Sequence, residues 1–262
     1  MRLSALPLCC TMALMLTPVH LLSEPTTVTY LQGSNRSFLI IRSADGKAIA
    51  TGDNLSVARG SVVHSRLTFR FRDGSLDDET TVFTQGKTLS LISDHHIQRG
   101  PSFPKPIDIA FVVATGQVTM REAKDGKTET RTEHVNMPPD LSNGLLPTIL
   151  QNLAPSAVET KVSMLVGSPK PRLVKISIKP TGQENFRIAG ASFTANRYSA
   201  HIELGGITGV IAPIVGKQPA DITLWTTSGV IKTFLKEVGQ AYEGGPMWTT
   251  EVASPAWSVS NQ

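Results

Sequence analysis

The sequence predicts a mainly β protein: a strongly curved antiparallel sheet or half-open barrel with one short helical element. Three observations predict it. Apolar residues recur at every second position in many segments, turn signals containing Gly or Asp separate these segments at short spacing, and one stretch near 140–153 carries apolar residues at helical spacing.

The alternation is plainest at 63–72. Val63, Leu67, Phe69 and Phe71 interleave there with His64, Arg66, Thr68, Arg70 and Arg72. A segment of this kind is a half-buried antiparallel strand, packed on one face and wet on the other. The pattern recurs at 174–178 and 118–121, and shorter strand-like runs cover 37–41, 80–84, 88–92, 107–112, 162–165 and 198–204. Between them stand Ala44-Asp45-Gly46, Asp73-Gly74-Ser75, Gln85-Gly86, Thr115-Gly116, Asp125-Gly126 and Thr181-Gly182. Glycine closes such turns by taking positive φ, and Asp by bonding its own backbone. About a dozen strands at this spacing make a sheet heavy enough to curl or close.

The helical stretch begins after Pro138-Pro139-Asp140 and places Leu141, Leu145, Leu146, Ile149, Leu150 and Leu153 on one side before Ala154-Pro155. Asp140 is the expected N-cap, and Gly144 and Pro147 predict two short turns of helix rather than one straight rod. The regions 24–137 and 156–262 are both strand-rich, with no Pro- or Ser-rich linker between them. One domain over 24–262 with a helical insert is therefore expected over two domains.

The first residues read as an address. Arg2 precedes the nearly unbroken apolar run 3–16, which Thr17, Pro18 and His20 then end. About fourteen apolar residues are too few to span a bilayer, which takes ~20, and suit the core of a secretory signal peptide. The signal is expected over 1–23, with Ser23 at the cleavage site and Leu21 a poor second small residue. Both cysteines, Cys9 and Cys10, fall inside this run, so the mature chain has no disulfide framework and no thiolate metal site. Pro7 and Leu8 before Cys9 speak against lipidation. The expected location is the periplasm or the medium, and no later stretch is apolar enough to make the mature chain an integral membrane protein.

Lys plus Arg number 25 against 21 Asp plus Glu, a net charge of +4 that implies no nucleic-acid partner. Gly209 to Gln218 imitates a phosphate-binding loop, but Ile211 and Gln218 stand where that motif needs Gly and a hydroxyl. Adjacent His95 and His96 after Asp94 point to opposite faces of a strand, and His64, His134 and His201 have no ligand spacing to them. They are expected on a solvated loop. No Gly-x-Ser-x-Gly elbow occurs. No catalytic residue, metal ligand or cofactor is assigned, and an enzyme is not expected.

Cations form two candidate stripes. Arg66, Arg70 and Arg72 share one strand face, and Lys175 and Lys179 share another after Lys170 and Arg172. Such stripes attract phosphate headgroups or other anionic polymers. Asp73, Asp77, Asp78 and Glu79 follow the first at once and are expected to screen it, leaving a solvated face that discourages edge association. The apolar, Gly-studded segment 205–217 is read as a buried strand and turn, with a hydrophobic lip as the alternative.

Four runs carry a resemblance: LTFRFRDGSLDDE at 67–79, DLSNGLL at 140–146, GITGVIAPIVGKQP at 206–219 and YEGGPMW at 242–248. Together they resemble a family of uncharacterised exported bacterial proteins over most of the mature chain. That resemblance implies no activity and transfers no catalytic residue. In architecture alone, an exported curved sheet with a helical insert is similar to the half-barrel folds that carry lipids and lipoproteins through the envelope.

These readings converge on a non-catalytic binder or carrier of a lipid-like, apolar or amphipathic ligand. The ligand is expected among Leu145, Leu146, Ile149 and Leu150, with Trp225 or Trp248 at the mouth of the shell. The alternative is an envelope assembly or scaffolding protein working through partner-protein contacts at its sheet edges and at 205–217.

Overall fold

The computed structural model describes residues 24–124, 127–154, 156–167, 170–188, 191–203 and 218–253. The signal-like run 1–23 with both cysteines, the Asp125-Gly126 turn, Pro155 and the segment 205–217 lie outside the described residues. No described helix is long and apolar enough to cross a membrane.

Fourteen strands form one antiparallel sheet. In chain order they are β1 (Asn35–Arg42), β2 (Ala48–Arg59), β3 (Val62–Phe71), β4 (Leu76–Gln85), β5 (Leu89–Arg99), β6 (Ile107–Val112), β7 (Gln117–Lys124) and β8 (Lys127–His134), then α1 (Leu146–Asn152), then β9 (Thr160–Gly167), β10 (Pro171–Ile188), β11 (Ala191–Glu203), β12 (Ile222–Thr227), β13 (Phe234–Gln240) and β14 (Met247–Val252). Sequential strands pair throughout, except that β1 also pairs with β14 and β8 does not pair with β9. The chain therefore steps outward to the edge β8, crosses through 135–159, and steps back from the edge β9 to the middle. The sheet is not closed.

It does roll up on itself. β9 and β6 are far apart in the sheet order. Yet a Cβ added to Gly167 of β9 would stand 2.5 Å from Ile109 Cδ1 of β6. The β9 edge thus meets the inner face of β6.

The alternation in β3 holds for most of the strand, but Thr68, expected on the wet face, is buried by its bond to Asp78, and Leu67 is only half-buried. Val63, Phe69 and Phe71 are buried, and His64, Arg66 and Arg70 are exposed. The inner face carries two apolar clusters. The larger joins Val63, Phe83, Leu91, Phe111, Val118, Ile176, Ile178 and Leu224 to the residues of the 135–159 connection. The smaller gathers Leu39, Ile41, Phe69, Phe71 and Phe103. Gly52 is required here by packing: an added Cβ would meet Phe69 Cε1 at 2.3 Å. Between the clusters on β2 and β3 lie Ser56, Ser65 and Asn54, with Ser65 Oγ 3.1 Å from Ser56 Oγ and 3.2 Å from Asn54 Oδ1.

Two expected turns become other things. Thr181-Gly182 does not end a hairpin, because β10 runs on to Ile188. Gly182, at φ 121, sits at a register shift in the β10–β11 pairing, where an extra residue bends a long strand. His95 and His96 stand mid-strand in β5 rather than on a loop.

Candidate functional site

The connection between the two sheet edges occupies the concave side. It contains one continuous helix of 7 residues, α1, rather than two separate short turns of helix. Gly144, at φ 66, turns the chain just before it, and the N-cap position is Leu145 with no side-chain bond. Asp140 is not the cap. It is 3% exposed and accepts hydrogen bonds from Lys175 Nζ at 2.6 Å and from Ser163 Oγ at 3.0 Å. Asp140 stands too far ahead of the N-cap position Leu145 to reach the N–H groups of the first turn, and its buried carboxylate takes Lys175 as partner instead. Ser142 N donates to Ser163 O, and Ser163 N donates to Asp140 O, so this stretch covers the outer backbone of β9 and hides one edge. Asn143 clasps Leu165 in both directions, at 2.9 and 2.8 Å.

The far end of α1 is tied to the strap 26–32. Thr29 N and Tyr30 N both donate to Asn152 Oδ1 at 2.7 Å, and Gln32 Nε2 donates to Gln151 Oε1 at 2.5 Å. The strap itself is held by β4 and β5: Leu89 N donates to Thr26 O, and Gln32 N to Gln85 Oε1.

Of the expected ligand residues, Leu145, Ile149 and Leu150 are at most 1% exposed within the larger cluster, and Leu146 packs half-buried against it. Trp248 lies in the smaller cluster, in contact with Phe71 at 5.2 Å and Phe103 at 5.9 Å between ring centres. Trp225 stands apart from both. Its neighbour Leu224 is buried inside, so Trp225 faces outward. There its Nε1 donates to Glu184 at 2.8 Å, and Lys236 Nζ lies 5.1 Å from the ring. The structure thus brings the four connection residues together and puts the two tryptophans elsewhere.

A charged belt on the inner face was not visible in the sequence. Asp77 and Glu79 of β4, with Asp94, His96 and Gln98 of β5, share that face with Phe83 and Leu91. A bulge between Val82 and Phe83 shifts the register and keeps these residues pointing inward. His96 Nε2 is 2.8 Å from Asp77 Oδ1, and Gln98 Nε2 donates to Asp77 Oδ2 at 3.0 Å. Thr81 Oγ1 donates to Asp94 Oδ1 at 2.9 Å, while the buried Asp94 Oδ2 has no partner among the described residues. Glu237 of β13 faces the same belt from across the shell, close enough that Glu79 and Asp77 repel its charge.

Burial and the Glu79 charge push the Asp94 carboxyl up to about 8. Burial, then Glu79 and Asp77, push Glu237 up to about 7. Glu79 rises too, by burial and beside Asp77. Burial alone would lower His96, but the Asp77 bond and the surrounding carboxylates outweigh it and raise the ring to about 9. The belt's hydroxyl, Thr81, is committed to Asp94. Among the described residues no group of three or more His, Asp or Glu side chains is arranged to hold a metal ion.

The lysine stripe is spent on ion pairs. Lys175 meets Asp140, Lys179 lies 3.4 Å from Glu159, and Arg172 lies 3.6 Å from Glu243.

No family model and no curated protein matches the chain. Among solved structures, the chain is similar to a β-barrel-like protein of the domain of unknown function DUF1849 from Brucella abortus, at 7% identity and a TM-score of 0.46, over 86% of this chain and 98% of that one. It is also similar to the hypothetical lipoprotein YmcC from Escherichia coli, at 13% identity and a TM-score of 0.38, over 84% of this chain and 85% of that one.

Proposed function

We propose that this is a non-catalytic binder or carrier of an amphipathic, lipid-like molecule in the periplasm or the medium, and that the connection 138–153 is the exchangeable filling of its shell. The origin of the core supports this reading. Leu141, Leu145, Ile149, Leu150 and Leu153 all belong to the larger buried cluster, yet none of them comes from the sheet. Truncating one core leucine leaves a cavity on the order of 150 Å³. Moving five such residues aside leaves roughly several hundred, within the ~300–1,000 Å³ of small-molecule pockets.

The filling is also weakly helical by its own chemistry. A helix of 7 residues without a side-chain N-cap is far below the ~12–15 that stand alone in water, so tertiary packing alone keeps it formed. A ligand chain that packs equally well competes with it directly.

The test is extraction of natively purified chain 24–262 with organic solvent, followed by mass spectrometry and titration with a fluorescent fatty-acyl probe. The reading predicts co-purified lipid or saturable probe binding. Finding neither contradicts it.

One observation favours the second reading, an envelope assembly protein. Strand β8 pairs only with β7 in the sheet, and seven of its eight side chains are exposed. An open edge of that kind accepts an added strand from a partner. Cross-linking through Cys introduced at Thr130 would capture a defined envelope protein if this reading holds.

A further inference from the structure

We infer that the cleft on the outer face of β3–β5 is a binding site for a phosphate-bearing anion. It is a cavity of about 450 Å³ whose lining includes Arg66, Thr68, Arg70, Leu76, Asp78 and Arg99. Arg70 lies directly across from Leu76, and Leu76 directly across from Arg99. The two arginines therefore stand two strand spacings apart, roughly 10 Å between backbones, with their side chains on one face. Long guanidinium arms at that separation converge on a group between them, and Arg suits the forked geometry of phosphate oxygens.

The charge balance leaves room for such a group. On β2–β4 two carboxylates reach this face, and Asp108 beyond them on β6 is engaged by His95 and Arg121. Asp78 is held by Arg66 through two bonds of 2.9 Å and by Thr68 Oγ1 at 2.5 Å. Asp53 is held in the same forked way by Arg36, at 2.9 and 2.5 Å. Both are kept below the usual carboxylate range, Asp53 by its Arg36 bond, and Asp78 by Arg66 and Thr68 acting against its burial. Arg70 feels both charges but makes no ion pair with either, and Arg99 has no ion pair among the described residues. Four guanidinium groups thus face two carboxylates that are already engaged.

The acids that follow in sequence do not cancel this excess. Asp77 and Glu79 point to the inner belt, on the opposite face from Asp78. Asp73 is occupied in the turn, accepting from Ser75 N at 2.9 Å and from Ser102 Oγ at 2.7 Å. Arg72 lies outside the cleft lining.

The phosphate has two possible sources, a free phosphate ester or a lipid headgroup, and one experiment separates them. Chain 24–262 is titrated with inorganic phosphate by calorimetry, and is sedimented with phosphatidylcholine vesicles with and without phosphatidylglycerol. The variants are Arg70→Gln/Arg99→Gln and, as a charge-matched control, Arg59→Gln/Arg187→Gln, both exposed positions elsewhere. Saturable phosphate binding weakened at least tenfold by the first pair and less than twofold by the control supports a small soluble ester. Binding only to the phosphatidylglycerol vesicles, with the same pattern of loss, supports a headgroup. Binding to neither, equal loss in both variants, or no loss in the first overturns the inference. Circular dichroism of each variant confirms the shared fold.

Discussion

Lys175 Nζ donates to Asp140 Oδ2 at 2.6 Å, with the lysine side chain 17% exposed and the aspartate side chain 1%. This bond fastens the connection between the two sheet edges to β10, one strand in from the edge. Removing the cation leaves a buried carboxylate with Ser163 Oγ as its remaining side-chain donor.

Lys175→Met should therefore lower unfolding stability by about 3 kcal/mol, since stranding one member of a buried pair costs ~3–5. The double variant Asp140→Leu/Lys175→Met removes both charges and should recover most of that loss. Urea unfolding of the two variants checks the difference. Equal losses would mean that the pair is not coupled.

Gly144 and Gly46 both have positive φ, 66 and 83, but different surroundings. A Cβ at Gly144 would stand 2.0 Å from Thr81 Oγ1, whereas one at Gly46 meets nothing within 4 Å. Gly46→Ala should cost about 1 kcal/mol, from φ alone. Gly144→Ala should cost about 3 kcal/mol, because Thr81 must also give up its place against Asp94. Thermal melts of the two alanine variants measure the gap.

The inner belt makes stability fall as pH rises. A carboxyl raised in the folded state stabilises the fold below its unfolded pKa, about 4, and that contribution is lost as pH climbs through the folded value. For Glu237 that window runs from about 4 to about 7. His96, raised to about 9, adds a loss between its unfolded value and 9. Glu237→Gln should then stabilise the protein by about 2 kcal/mol at pH 8 and by almost nothing at pH 4. Denaturant midpoints at the two pH values test the sign, and a larger gain at pH 4 would contradict it.

How much of this was legible in the sequence depended on whether a residue's face could be counted. In β3 the period of two could be counted, so Val63, Phe69 and Phe71 read as buried and His64, Arg66 and Arg70 as exposed, whereas the burial of Thr68 by Asp78 of the neighbouring strand could not be. In β5, Asp94, His96 and Gln98 occupy inward positions with polar groups, so the strand looked like a solvated loop. Their partners, Asp77 and Thr81 on β4 and Glu237 facing them across the shell, are supplied by register and curvature, which no local pattern encodes. The same holds for Asp140. A carboxylate ahead of a helical run reads as a cap, and only the fold brings Lys175 to it. Asp77 and Asp78 are adjacent in sequence yet serve opposite faces, so the screening expected around Arg66 and Arg70 is halved. The pairing of β1 with β14, which makes two runs of hairpins one sheet, left no sequence signal.

The central claim is that α1 must leave for a ligand to enter, and fixing the helix in place tests it most directly. Cys9 and Cys10 lie before residue 24, so Gln32→Cys/Gln151→Cys in chain 24–262 introduces the only thiols, at positions whose native side chains bond each other. A short bismaleimide then ties α1 to a strap anchored on β4 and β5. The account predicts that the cross-linked chain loses fatty-acyl probe binding at least tenfold while the unlinked double variant retains it. Equal binding by the linked and unlinked chains would contradict the account.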